Sequence, residues 1–153
     1  MVAACQRVRD VAAVVVTPTC HNPIGAVMSV ERKRALAQLL AKYQVQAIED
    51  DTYGELSFKH ERPRTLQSCD EAGLVLLCGS FSKTLAPAYR LGYAIPSGQR
   101  ERVIHFKLAT TVTTPVPTQL AVADYLAKGG YDRYLRGLRR TFQTNVDRLR
   151  YEI

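Results

Sequence analysis

The sequence predicts an α/β fold with a mostly parallel sheet and flanking helices. Two observations carry that prediction. Short apolar runs of strand length, at Val11–Val16, Val45–Ile48 and Leu74–Cys78, alternate with stretches of helical period. Each run is followed by a polar loop, and the carboxyl edge of an open α/β sheet is where ligands bind. A length of 153 residues is enough for one modest domain with a core.

Val11–Val16 is β-branched and continuously apolar, so it reads as a strand covered on both faces. Thr17 to Gly25 is a loop marked by two prolines and a glycine. Asn22 precedes Pro23, which keeps it out of the helical region; its amide is free for a ligand or for a plain turn. Ser29 caps a helix over Val30–Tyr43. Leu36, Leu39, Leu40 and Tyr43 face inward there, with Glu31, Arg32, Lys33 and Arg34 in water. Val45–Ile48 is a short strand that ends in Glu49, Asp50 and Asp51. Three adjacent carboxylates repel one another unless a cation is shared between them. A metal ion, a protonated pyridine nitrogen and plain solvent are all open for that role.

Glu61–Asp70 reads as surface loop. Leu74–Cys78 is a buried strand, followed by Ser80-Phe81-Ser82-Lys83-Thr84-Leu85-Ala86-Pro87-Ala88-Tyr89-Arg90. An amine, two hydroxyls and a guanidinium at a strand's carboxyl end can hold a phosphate and form an imine beside it. Leu91–Ile95 alternates apolar and small residues, as a strand does. Gln99–Val112 is a helix with Val103, Ile104, the Lys107 stem and Leu108 inward. Thr113–Pro117 breaks it. Thr118 caps the next helix, which runs through Lys128 and closes on Gly129-Gly130. The last helix starts near Tyr131 and buries Leu135, Leu138, Phe142, Val146 and Leu149. Arg133, Arg136, Arg140 and Arg148 lie off that seam, as a solvated flank beside Asp132 and Asp147 rather than a nucleic-acid surface. No stop signal precedes Ile153.

Apolar residues make up 46% of the chain and charged residues 23%, ordinary for a soluble globular protein. The net charge of +7 and pI of about 9.4 admit a phosphate cofactor, acidic ligands or nucleic acid and select none of them. Cys5, Cys20, Cys69 and Cys78 show neither a close C-x-x-C pair nor a metal spacing, and read as reduced, cytosolic thiols. With His21, His60 and His105 scattered, no metal site is expected. The amino-terminal apolar run lacks a leader's cleavage site, and no run reaches the roughly 18 apolar residues that span a bilayer. A cytoplasmic protein without membrane contact is expected.

Set together, Asn22-Pro23-x-Gly25, Asp50-x-x-Tyr53 and Ser80-x-Ser82-Lys83 with Arg90 resemble the class I/II aminotransferases of pyridoxal phosphate fold type I. The resemblance covers nearly the whole chain. It implies that Lys83 forms a Schiff base with pyridoxal 5′-phosphate and shuttles the proton, and that Asp50 pairs with the pyridine nitrogen. It implies that Tyr53 and Asn22 hydrogen-bond the phenolic oxygen, and that Ser80, Ser82 and Arg90 hold the phosphate. Burial and the Arg90 charge are expected to keep the Lys83 amine partly neutral.

A closer resemblance is to the MocR group of GntR-type bacterial regulators. Glu49-Asp50-Asp51-Thr52-Tyr53-Gly54-Glu55-Leu56, the segment from Leu77 to Pro87 and the segment from Gly129 to Arg140 carry it. Those proteins join a DNA-binding winged helix to a PLP-binding, aminotransferase-like domain that senses an effector. Members of both groups are far longer. The resemblance implies that residues 1–153 are the central part of a large domain, without the winged helix, the upstream ring-stacking segment or the downstream small domain. Weak or absent turnover is expected of the piece alone. Ala88 stands where the family often has glycine, a departure that bears on the loop ahead of Arg90.

Two functions follow from the resemblance: amino-group transfer between an amino acid and a 2-oxo acid, or effector sensing without turnover in a transcriptional regulator. A gene remnant that binds nothing is the third alternative. The implied partners are a small-molecule amino acid or amine, a second copy in the full-length homodimer, and DNA only through a domain absent here.

Overall fold

The computed structural model describes residues 11–58 and 61–152. Cys5, His60, Ile153 and the residues ahead of Val11 weighed as part of a leader lie outside them. Among the described residues four strands form one sheet in chain order: β1 (Ala13–Val16), β2 (Gln46–Asp50), β3 (Val75–Ser80) and β4 (Gly92–Pro96). The first three are parallel, and β4 runs antiparallel to β3. The carboxyl ends of β1, β2 and β3 therefore share one edge. The helices are α1 (Val30–Tyr43), α2 (Arg100–Thr111), α3 (Val116–Ala127) and α4 (Gly130–Glu152).

The α1 helix starts where the Ser29 hydroxyl accepts the Arg32 N–H at 3.3 Å. It ends at Gln44, which turns left-handed at φ 51°. Ala37 and Leu40 pack onto Ala47 and Val75, with Val45, Leu66 and Leu74 closing the core. Leu40 and Leu66 are fully buried, each worth roughly 2 to 3 kcal/mol relative to exposure.

Several sequence expectations change. Lys33 is not in water: it is 1% exposed, and its ammonium donates to Thr19 Oγ1 at 2.8 Å and to the Arg64 carbonyl at 2.5 Å. Its aliphatic stem suits the core-facing stripe, and two acceptors satisfy its head. Residues 61–70 are not plain surface either. Glu49, fully buried, accepts the backbone N–H groups of Leu66 and Gln67 at 2.8 Å each and draws that segment inward.

Strand β1 is covered on one face only, since Val15 is 70% exposed. Ile104 and Leu108 of α2 and Leu149 of α4 are exposed as well, because no described element lies against them. Helix α3 starts ahead of Thr118. Pro117 sits in its first turn, where a missing N–H costs nothing.

Candidate functional site

Strand β2 reaches Asp50, so the three carboxylates obey the two-residue alternation of a strand and separate. Glu49 faces the α1 side and caps the 65–67 segment. Asp51 is buried and pairs with Arg62. Asp50 points to the opposite face, where its Oδ1 accepts the Thr52 N–H at 3.0 Å and the Thr52 hydroxyl at 2.6 Å. Among the described residues the three carboxylates take separate partners and do not converge on one point. Both bonds to Asp50 fall on Oδ1, which leaves Oδ2 uncommitted among the described residues. Reading the strand through to Asp50 would have revealed this separation.

The register aligns Asp50 with Cys78, and Ser80 follows two residues on, so Asp50, Cys78 and Ser80 share one sheet face. Lys83 lies in the turn just past β3 and is exposed rather than buried, because nothing described packs over it. Asn22 is also exposed, in the loop after β1. With Tyr53 it lines a cavity of about 590 Å³ walled by Cys20, Val27, Leu56 and Phe58. Among the described residues the side chains of Asn22, Tyr53, Ser82 and Lys83 make no hydrogen bond. Ser80 Oγ accepts the Ser82 N–H at 3.1 Å. Among the described residues the Arg90 guanidinium is held only by the Pro87 carbonyl, at 3.5 Å. Arg90 takes the left-handed conformation, φ 47°, whereas Ala88 lies in the helical turn Pro87–Tyr89. An alanine is therefore accommodated where glycine was expected.

The lysine loop is pinned from both sides of Lys83. Phe81 packs against Tyr93 and, edge-on, against Tyr131, with ring centroids 5.7 and 5.8 Å apart. Thr84 is 1% exposed and accepts the Tyr131 hydroxyl at 2.9 Å. Gly79 lets the Tyr93 ring lie against the strand, since a Cβ there would overlap the ring and displace it.

The segment after β2 is fastened by charge. Arg62 donates Nε to Glu55 Oε1 at 2.5 Å and Nη2 to Asp51. Arg139 of α4 donates Nε to the Glu55 carbonyl at 2.6 Å and Nη2 to Glu55 Oε2 at 3.3 Å. Burial raises the Asp51 carboxyl to about 6, against the pull of Arg62. The Lys33 ammonium is pushed below its ordinary range by burial, against the pull of Glu49 and Asp51. Sequence reasoning missed Arg62, Arg139, Thr84 and Tyr131, whose partners are distant in the chain.

Among the described residues, a carboxylate oxygen and an amine without partners, with two hydroxyls and a guanidinium nearby in the chain, stand at one sheet edge of an α/β protein and have the chemistry to take a small, anionic, carbonyl-bearing ligand. That donor set fits pyridoxal phosphate. A family model for aminotransferase class I and II matches residues 1–153, and the chain belongs to that family. It is 39% identical over 133 residues to the HTH-type transcriptional regulator YjiR of Escherichia coli (strain K12), covering 87% of this chain and 28% of that protein. It is 32% identical to the aminotransferase SSO0104 of Saccharolobus solfataricus, covering 86% of this chain and 33% of that protein. The kynurenine aminotransferase of Pyrococcus horikoshii, solved in complex with PMP, superposes with a TM-score of 0.82 at 29% identity. That match covers 88% of this chain and 34% of the enzyme. The chain thus spans about a third or less of these relatives.

Proposed function

We propose that residues 1–153 form the central part of the pyridoxal phosphate-binding large domain of a longer protein. The activity proposed for that protein is amino-group transfer between an amino acid and a 2-oxo acid. The observation that supports this best is that, among the described residues, Asp50 Oδ2 and the Lys83 amine stand without partners at the same sheet edge. Bound pyridoxal phosphate supplies a carbonyl that captures amines and a ring that takes up electron density.

The chain's own groups have distinct tasks. Lys83 provides the amine that links the cofactor and, when free, moves a proton at its Nζ. Asp50 Oδ2 accepts the ring N–H and keeps that proton in place, while Thr52 orients the carboxylate through Oδ1. Tyr53 and Asn22 donate to the phenolic oxygen. Ser80, Ser82 and Arg90 bind the phosphate, with Arg90 as the charged fork. A second reading, favoured by the identity to YjiR, is that the same pocket senses an amine effector in a regulator whose DNA-binding domain is separate. We read the full-length protein as a cytoplasmic homodimer. Exposed apolar side chains on α3, Leu120 at 66% and Tyr125 at 39%, suit a second copy. Among the described residues no helix is long and apolar enough to cross a membrane.

The test is spectroscopic. Protein mixed with pyridoxal phosphate is expected to gain a visible absorption band, and borohydride should fix the label on the peptide containing Lys83. Lys83→Ala should lose both. A folded wild-type protein without the band, or a label on another lysine, overturns the proposal. Transfer from amino acids to 2-oxo acids separates the enzyme from the effector-sensing reading, which predicts amine binding without turnover.

A further inference from the structure

Five residues, Asp51 to Glu55, form the arc that carries Tyr53 into the pocket. Within the arc the Gly54 N–H meets the Asp51 carbonyl at 3.2 Å, and just past it the Leu56 N–H reaches back to the Tyr53 carbonyl at 2.9 Å. Those bonds set the arc's local shape. They do not set where it sits against the sheet. Against the sheet the arc is held by the Asp51 N–H on the Cys78 carbonyl at 2.9 Å, by Arg139 on Glu55, and by Arg62, which enters from outside the arc and, alone of these, grips both its ends, Asp51 by Nη2 and Glu55 by Nε.

The grip is built rather than incidental. The Asp51 side chain is fully buried, and a Cβ on Gly54 would overlap its carboxylate, so only glycine admits this approach. Arg62 is itself anchored, because the nearby segment at Leu66 and Gln67 is bound to Glu49. The two acids flanking Asp50, Glu49 on β2 and Asp51 just past its end, thus both hold the 62–67 segment, and that segment helps hold the arc. A lysine in place of Arg62 has no planar fork and cannot span both carboxylates with the same geometry.

We propose that Arg62 is a positioning residue for the cofactor pocket: by bridging Asp51 and Glu55 it holds Tyr53 where its hydroxyl reaches the cofactor's phenolic oxygen. This rests on the pyridoxal phosphate reading above. The Tyr53 hydroxyl, donating to that oxygen, withdraws charge that would otherwise stabilise the proton on the lysine-linked nitrogen. Loosening the arc therefore strengthens the hold on that proton.

The experiment is a pH titration of the visible band of the cofactor-loaded protein, with thermal melting in parallel. Arg62→Met is expected to raise the titration midpoint by about 0.5 to 1 pH unit, toward that of Tyr53→Phe, as expected for one weakened hydrogen bond. Arg62→Lys should fall between wild type and Arg62→Met. Glu55→Gln opens one end of the grip without orphaning a buried charge. It should shift the midpoint in the same direction by less, and it serves where Arg62→Met fails to fold. Midpoints unchanged in folded Arg62→Lys and Glu55→Gln, while Tyr53→Phe shifts, overturn the positioning role and leave the cofactor reading intact. Absence of the band in wild type overturns both.

Discussion

The segment after β2 and the segment after β3 lie side by side at one sheet edge, yet different forces fasten them. Around Tyr53 the fastening is ionic: Arg62 and Arg139 converge on Glu55, and Asp51 is buried against Arg62. Around Lys83 it is apolar: the Phe81 ring rests on Tyr93 and Tyr131, and one hydroxyl pair joins Thr84 to Tyr131. Ion pairs respond to pH and salt, whereas ring packing does not. The carboxylate side of the pocket is therefore the adjustable side, and the lysine side is the fixed one.

The sharpest way to break the comparison is Arg62→Met. Removing one partner of a buried pair is expected to cost on the order of 3 kcal/mol at pH 8, with the low end set by the partial exposure of Arg62. At pH 5 the loss should be much smaller, because Asp51 then carries a proton. Urea denaturation at the two pH values measures the difference. The wild-type protein should show the same group at work. Asp51 titrates at about 6 when folded against 3.8 in its ordinary state, so the folded form holds the proton more tightly. Its contribution is full below pH 4 and is lost as pH rises through about 6, roughly 3 kcal/mol in all. Arg62, Glu49 and Glu55 face this carboxyl, and Asp51→Asn should flatten the slope.

Phe81→Ala tests the opposite side. It is expected to cost roughly 2 to 3 kcal/mol through lost ring packing, by the same amount at pH 5 and pH 8. A pH-dependent loss would break the contrast between the two segments. Thr84→Val leaves the Tyr131 hydroxyl without its partner and should cost about 1 kcal/mol in urea denaturation. Arg139→Gln should cost less, roughly 0.5 kcal/mol, and the loss should fade at high salt because Arg139 and Glu55 are both partly exposed.

The positions of the candidate site residues are legible in the sequence, and the contacts that support them are hidden. Asn22, Asp50, Tyr53, Ser80, Ser82, Lys83 and Arg90 stand in loops or at strand carboxyl ends, as local strand and turn signals place them, while the roles given to them come from the resemblance. The parallel sheet was visible in local signals too, in short apolar runs alternating with helical stretches. Lys33 and Arg62 look like surface charges in the sequence, because burial of a long cation depends on acceptors 14 residues away at Thr19 and 11 away at Asp51. No spacing rule predicts such pairs. The roles of Glu49 and Asp51 were within reach, since alternation along β2 sends them away from Asp50. Val15 and Ile104 mark the reverse case. Their apolar character predicts cover that the described residues do not supply.

A crystal structure of the protein grown with pyridoxal phosphate tests the central claim most directly. Continuous density from Lys83 Nζ to the cofactor is expected, with Asp50 Oδ2 at hydrogen-bonding distance from the ring nitrogen. Cofactor joined to another lysine, or seated with its ring nitrogen away from Asp50, would contradict it.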